Sequence, residues 1–221
     1  MIEIILPPSV AAVDTTADPP DARLFPEEAA LIRQAVDKRR REFTTGRACA
    51  REAMGLLGRT AEPVLRGERG EPLWPMGLVG SITHCAGYRA AALSRAAEVA
   101  AIGIDAEPNE PLPNGVLPAV SSPAEREMIH ELRRGHPGVR WDRLLFCAKE
   151  SVYKVWFPLT GRWLGFEDAE VSVSPLAGTF EARLLRGGPR VDGHELTGLT
   201  GRWLVKNGLL LTAIVVPAHV R

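Results

Sequence analysis

The sequence has little with which to staple itself together. Three cysteines, Cys49, Cys85 and Cys147, are spread through 221 residues with no C-x-x-C pair. An odd, scattered set speaks against a disulfide framework and a structural zinc site, and the cytoplasm is the expected compartment. Long apolar runs are missing too. The strongest, residues 209–216, is far short of the roughly 20 residues that a spanning helix needs. The first ten residues, MIEIILPPSV, have no basic segment and are too short for an export signal. Net charge is absent as well, with 27 Lys+Arg against 27 Asp+Glu. Non-specific nucleic-acid binding draws on a marked cationic excess, so neither a nucleic acid nor a membrane is expected as a partner.

What is present suffices for one large domain or two small ones packed together, because 45% of the residues are hydrophobic. Neutrality is also a sum of opposed regions. Residues 31–70 hold ten Lys+Arg and five Asp+Glu, so the rest of the chain carries the matching deficit. Such a split suits a compact, highly phosphorylated ligand held between cations and carboxylates.

Periodicity predicts an α+β chain. A long helical pattern starts at Pro26 (PEEAALIRQAVDKRRREF), and a second helix covers about 44–57 with Gly58 as its C-cap. Residues 14–21 and 66–80 read as loops, and strands are predicted at 79–83, 88–94 and 99–105. Residues 108–120 hold four prolines and mark the expected boundary between an N-terminal half, 1–107, and a C-terminal half, 108–221. Beyond it come a helix opened by SSPAE (121–125), a helix over about 141–156, and strands near 168–174, 178–186, 200–206 and 209–216. Phe43, Arg47 and Arg51 share offsets with Phe146, Glu150 and Lys154, each on a helix followed by Leu-Gly. The echo suggests two related halves with a site between them.

Four segments could carry chemistry. In the strand GIDAE (103–107), Asp105 and Glu107 stand at i and i+2 and project together. Paired carboxylates suit a hard divalent cation, Mg²⁺ or Mn²⁺, although D-x-E alone reads equally as a solvated strand end. In FCAKESVYK (146–154), Glu150 and Lys154 share a face of an apolar helix, either as a surface ion pair or as a third carboxylate and a phosphate contact. Lys149 points elsewhere on that helix. In WPMGLVGSITH (74–84), Gly80 allows close backbone approach, while Ser81, Thr83 and His84 offer donors to phosphate; taken alone, His84 is a satisfied strand-end histidine. Cys85 adjoins His84 but faces the other way, which does not support a nucleophile pair. The run Lys38-Arg39-Arg40-Arg41, with Arg47, Arg51, Arg66 and Arg69, is a solvated face or an anion site.

These segments, in this order, resemble the 4′-phosphopantetheinyl transferase superfamily, whose signatures are G-[IV]-D-x-E and, some 40 residues on, F/W-[SC]-x-K-E-[SA]-x-x-K. The segment RREFTTGRACAR (40–51) and the chain's size resemble the monomeric, pseudo-twofold type that includes the enterobactin and surfactin activators. SITHCAGYR, GIDAEP, LPNGVL and WDRLLFCAKE are most similar to the actinobacterial enzymes. The resemblance covers about 38–216; residues 1–25 carry none of it. It implies two similar α+β halves and a Mg²⁺-dependent transfer of the 4′-phosphopantetheine of coenzyme A to a serine of an acyl or peptidyl carrier protein, giving 3′,5′-ADP. Such carriers serve fatty-acid, polyketide, nonribosomal-peptide and siderophore pathways.

By the resemblance, Asp105, Glu107 and Glu150 hold the metal with the pyrophosphate, and Ala106, which cannot ligate, leaves a coordination place to water. Arg39, Arg47 and Arg66 meet the 3′-phosphate and adenine end. His84, with Ser81 and Thr83 in the same loop, meets phosphate. Lys154 meets the transferred phosphate, and Lys149 belongs to the signature. Glu150 or Glu107 is the base, and carriers dock on the C-terminal half. Two other readings stay open: a non-catalytic coenzyme A- or carrier-binding protein, and a metal-dependent nuclease, which leaves WPMGLVGSITH unexplained.

Overall fold

The structure is a computed structural model that describes residues 1–219; Val220 and Arg221, the end of the expected C-terminal half, lie outside the described residues. A 3₁₀ turn (Ile2–Ile5) leads into β1 (Ala11–Thr15), α1 (Pro26–Leu31) and α2 (Asp37–Leu56). Next come β2 (Leu65–Arg66), β3 (Pro72–Leu73), β4 (Leu78–Cys85), β5 (Tyr88–Arg95) and β6 (Val99–Pro108). The helices α3 (Val116–Val120), α4 (Pro123–Gly135) and α5 (Trp141–Thr160) follow. The chain then forms β7 (Ala169–Ser174), β8 (Thr179–Leu184), β9 (Arg190–Val191), β10 (His194–Glu195), β11 (Gly198–Lys206) and β12 (Leu209–Pro217). The fold is α+β, and among the described residues no helix is long and apolar enough to cross a membrane.

Two main sheets carry the architecture, ordered β1-β5-β4 and β6-β12-β11-β8-β7. Each is covered by a 20-residue helix, α2 on the first and α5 on the second. Small residues make this possible. Ala91 of β5 is wholly buried, so α2 lies close to the strand through Ala50, Ala53 and Met54, while Ala90 and Ala92 pack on the opposite face. Under α5, Trp141, Leu145, Val152 and Trp156 fill a larger core with Phe180 and Ile214. The N-terminal turn buries Ile2 and Ile5 in a third layer, against Tyr88, Ile102, Ile104 and Leu211, so residues outside the resemblance contribute core and an extra strand, β1.

The sheets meet along β4 and β6, and the junction is unusual. Among the described residues no backbone ladder joins these two strands. Two buried hydroxyls do so instead. Ser81 Oγ accepts the Ile104 N–H at 3.1 Å, and Thr83 Oγ1 accepts the Ala106 N–H at 3.1 Å. The matched steps, 81 to 104 and 83 to 106, show that the strands run in the same direction. By hydrogen bonding β6 belongs with the C-terminal strands, since it pairs with β12 along its length.

The helix pattern from Pro26 departs from expectation. It breaks between Leu31 and Asp37, and the second helix starts at Asp37 rather than near Thr44. Glu28 supplies the reason. Its carboxylate is buried and accepts from the Phe25 N–H (3.0 Å), the Val64 N–H (2.8 Å) and Arg51 (3.0 Å), which fixes α1 across α2 rather than in line with it. The loop 66–80 contains a small hairpin, β2 with β3, and β1 extends into the loop expected at 14–21. SSPAE does open a helix. Ser122 Oγ accepts the Glu125 N–H and Glu125 accepts the Ser122 N–H, a reciprocal cap with Pro123 behind it. α5 runs four residues past Trp156, through Pro158, to Gly161 in the left-handed region (φ 64°).

Candidate active site

Where β4 and β6 end side by side, side chains from four elements converge. The glycine of GIDAE is what lets α5 reach them. A Cβ on Gly103 would lie 2.1 Å from the Ser151 carbonyl oxygen, so only glycine permits this approach of helix to strand. With the backbones this close, Lys154 donates to Asp105 Oδ1 (2.7 Å) and to the Ile104 carbonyl (2.9 Å). Asp105 is buried, accepts a second bond from the Thr83 hydroxyl at 3.1 Å, and keeps Oδ2 buried without a partner.

Glu107 lies farther out and is held by Arg143, whose Nη1 donates to Oε2 at 3.0 Å. The same guanidinium donates to the carbonyls of Glu110 and Pro111, so it fastens the proline-rich segment to the start of α5. Both outer carboxylates are held above their usual range. For Glu107 burial contributes most and the Asp105 charge adds to it, outweighing the opposing pull of Arg143. For Glu150 burial again comes first, then Asp105, with Lys154 opposing and Glu107 adding. Lys154 is shifted upward: burial disfavours its charge, but the Asp105 carboxylate and then Glu150 more than compensate. Among the described residues, no three His, Cys, Asp or Glu side chains stand close enough together to hold a metal ion as arranged. Lys154 pairs with Asp105 and Arg143 with Glu107.

Across the seam is a cationic group. Arg39 Nη1 lies 2.6 Å from His84 Nε2, and His84 Nδ1 lies 3.5 Å from Glu42. Burial, then Arg39, Lys154 and Arg89, lower the His84 pKa against the pull of Glu42, favouring a neutral ring whose Nε2 accepts from Arg39. Arg47 is buried, stacks 3.9 Å over the Phe43 ring and donates from Nε to the Val64 carbonyl. Burial chiefly, with Arg39, Arg51 and Arg66 adding and Glu28 opposing, brings its pKa to about 10, still charged at neutral pH. Cations crowded in this way favour an anion among them.

Four of the expected residues are placed differently. Ser81 and Thr83 are buried and commit their hydroxyls to β6. Gly80 accommodates protein rather than a ligand: a Cβ there would meet the Ala92 carbonyl at 2.6 Å and Trp74 at 2.9 Å. Lys149 sits on the other side of α5, donating to Glu125 Oε2 (2.9 Å) and the Phe166 carbonyl (2.8 Å). Arg66 stands on the hairpin beside Gly70, whose φ of 92° shapes the turn. Arg143 and Glu42 escaped the sequence reading, though spacing could have flagged Arg143, which precedes Glu150 by seven residues on the same helix face.

Two apolar clefts flank Glu150. One of about 690 Å³ runs along the seam past Trp74, Ile102, Phe157 and Lys154; another of about 150 Å³ is walled by Tyr153, Trp163, Leu164 and Phe166. A third hollow, about 610 Å³ under α4, is lined by none of the candidate residues.

The segments that carry these residues are similar to known proteins. Residues 27–94 match the sequence model of the 4′-phosphopantetheinyl transferase N-terminal domain, and 101–197 that of the 4′-phosphopantetheinyl transferase superfamily. The chain is 55% identical to 4′-phosphopantetheinyl transferase Svp of Streptomyces mobaraensis, over 99% of this chain and 90% of that protein. It is 50% identical to 4′-phosphopantetheinyl transferase PptT of Mycobacterium tuberculosis, over 98% of both. Enterobactin synthase component D of Salmonella typhi is 34% identical over 64% of this chain and 58% of its own length. With the carboxylate–lysine pair and the arginine group falling inside the matched segments, and with identity to named transferases over half the chain or more, the chain belongs to the 4′-phosphopantetheinyl transferase superfamily and is an enzyme of that class.

Proposed function

We propose that the protein transfers the 4′-phosphopantetheine group of coenzyme A to a serine hydroxyl of acyl or peptidyl carrier proteins, releasing 3′,5′-ADP, with Mg²⁺ (or Mn²⁺) required. The observation that carries the reading is the division of labour across one seam: a cationic group on the α2 side and three carboxylates with a lysine on the α5 side. Coenzyme A has a 3′-phosphate at one end, an uncharged arm at the other and a pyrophosphate between them, which fits this order.

In the reaction the serine oxygen attacks the β-phosphorus, the bond from that phosphorus to the bridging oxygen breaks, and the oxygen leaves on 3′,5′-ADP. The serine proton goes to a base. Glu150 is the proposed base, because burial and Asp105 raise its pKa toward the operating range while Glu107 is engaged by Arg143. Lys154 neutralises charge on the transferred phosphoryl oxygens. Arg47 and Arg39, with Arg66 at the hairpin, hold the 3′-phosphate end, and His84 hydrogen-bonds phosphate. The apolar walls around Tyr153, Phe157 and Trp163 suit the pantetheine arm.

The residues fit a divalent cation. Asp105 Oδ2 is a buried oxygen without a partner, and the Asp105 charge helps to raise the pKa of both Glu107 and Glu150, as happens when acids stand together with no cation between them. Asp105, Glu107 and Glu150 would hold it, with Ala106 leaving a place to water. Bound there, it supplies charge neutralisation of the pyrophosphate.

On this reading the protein is a cytoplasmic monomer that docks its carrier through the C-terminal half, with residues 1–107 gripping the nucleotide and 108–221 supplying Glu150 and Lys154. The test is mass spectrometry of an apo acyl carrier protein incubated with coenzyme A and Mg²⁺. A phosphopantetheine-sized mass gain is expected. Its absence across several carriers, in a protein that still binds coenzyme A, would favour a non-catalytic binding protein.

A further inference from the structure

We propose that Thr83 is a positioning residue for Asp105: its hydroxyl, buried in the seam between β4 and β6, fixes the carboxylate through Oδ1 and so reserves Oδ2 for a divalent cation. The inference rests on the reading of Asp105 as a cation ligand. Position and hydrogen bonding carry it. Thr83 is 2% exposed and Asp105 6%. A hydroxyl has one proton and two lone pairs. The Ala106 N–H occupies the acceptor side of Thr83 Oγ1, and its proton goes to Asp105 Oδ1 at 3.1 Å. Lys154 reaches the same oxygen at 2.7 Å. Both partners therefore sit on Oδ1, and Oδ2 is the oxygen left open. A β-branched side chain whose backbone strand runs beside β6 has little rotameric freedom, so the donor is held in place. Ser81, two residues earlier, makes the companion bond to the Ile104 N–H and touches no carboxylate, which provides a built-in comparison.

The measurement is Mn²⁺ binding to the full chain by electron paramagnetic resonance with saturating coenzyme A, alongside transfer to an apo carrier at varied Mg²⁺. Asp105→Asn sets the baseline and should lose Mn²⁺ binding. Thr83→Val should weaken Mn²⁺ binding and raise the half-saturating Mg²⁺ about tenfold, as loss of an outer partner of a metal ligand does, while KM for coenzyme A moves less than about twofold. Thr83→Ser should restore both values to within about twofold of the parent. Ser81→Ala should keep the parent cation affinity. Where circular dichroism shows Thr83→Val unfolded, Thr83→Ala carries the same expectation. Loss of binding in Asp105→Asn with parent affinity in Thr83→Val overturns the role of Thr83 alone. Equal weakening in Ser81→Ala and Thr83→Val assigns the effect to the seam and also overturns it. Parent-like binding in Asp105→Asn, or none in the parent, overturns the cation reading on which the inference stands.

Discussion

Replacing Lys149 with methionine separates structure from chemistry at a position the family signature includes. The Lys149 and Glu125 side chains are 3% and 1% exposed. Lys149→Met deletes the bonds to Glu125 Oε2 and to the Phe166 carbonyl. Glu125 retains the N–H groups of Ser122 and Val171, but it becomes a buried anion without a counter-charge. Removing one partner of such a pair costs about 3–5 kcal/mol. For a chain of this length each kcal/mol moves Tm by about 2–4 °C, so the drop should be roughly 6–20 °C. Urea unfolding followed by circular dichroism gives the free energy, and Lys149→Met with Glu125→Gln in a double-mutant cycle should show a coupling of about 1–3 kcal/mol. Below the transition, KM for coenzyme A should change less than about threefold, because Lys149 faces away from Asp105 and Lys154. A loss under about 1 kcal/mol together with a tenfold rise in KM would refute the reasoning and return Lys149 to the ligand.

Glu150→Gln should reduce transfer at least about a hundredfold, the lower range for a lost general base, while making the metal-free protein more stable above pH 4.5. The folded pKa of Glu150 is raised, so its favourable contribution is present below pH 4.5 and is lost as pH rises through the folded value; the amide removes that loss, and thermal scans across pH should show a flatter profile. Arg47→Ala should raise KM for coenzyme A by about 10–100-fold, the worth of a charged hydrogen bond, but move KM for 3′-dephospho-coenzyme A less than about threefold; equal effects would end the 3′-phosphate role. Gly103→Ala should destabilise by about 1–3 kcal/mol and depress turnover, since its Cβ meets a backbone oxygen that cannot swing away; an unchanged Tm would show that α5 does not rest on β6 as described.

Local signals made most of the elements legible. The strands predicted at 79–83, 88–94 and 99–105 match β4, β5 and β6 to within a few residues, and the SSPAE signal placed the start of α4. Gly58, with φ of 70°, ends α2 as its position implied. What escaped depended on partners distant in sequence. The break before Asp37 follows from Glu28 bonding to Val64, 36 residues away. Nothing local in SITH distinguishes a hydroxyl offered to phosphate from one offered to a neighbouring strand, so Ser81 and Thr83 read as ligand contacts. Glu42 and Arg143 were hidden because each acts on another side chain, His84 or Glu107, rather than standing in a recognisable pattern. Lys149 and Lys154 look alike in sequence; only the packing of α5 turns one toward Asp105 and the other toward Glu125.

The pairing of β6 with β12 has a consequence for how the protein acquires its activity. Asp105 sits opposite Thr212, about a hundred residues later, and on its other side β6 has two hydroxyls in place of a ladder. The strand bearing Asp105 and Glu107 thus has almost no local means of ordering itself and must wait for one of the longest-range closures in the chain, a slow kind of step in any folding reaction. In the other unit β4 and β5 close as a hairpin and α2 packs on them over shorter spans, with β1 alone reaching back from far upstream. Folding should therefore pass through a stage in which the arginine side is formed and the carboxylate strand is still unpaired, and pulse-labelled hydrogen exchange should find the amides of 101–107 and 210–216 protected late and together. An apolar strand waiting in that way is the segment most open to pairing with a second chain, so expression yield and competence for catalysis are tied to the same ten residues.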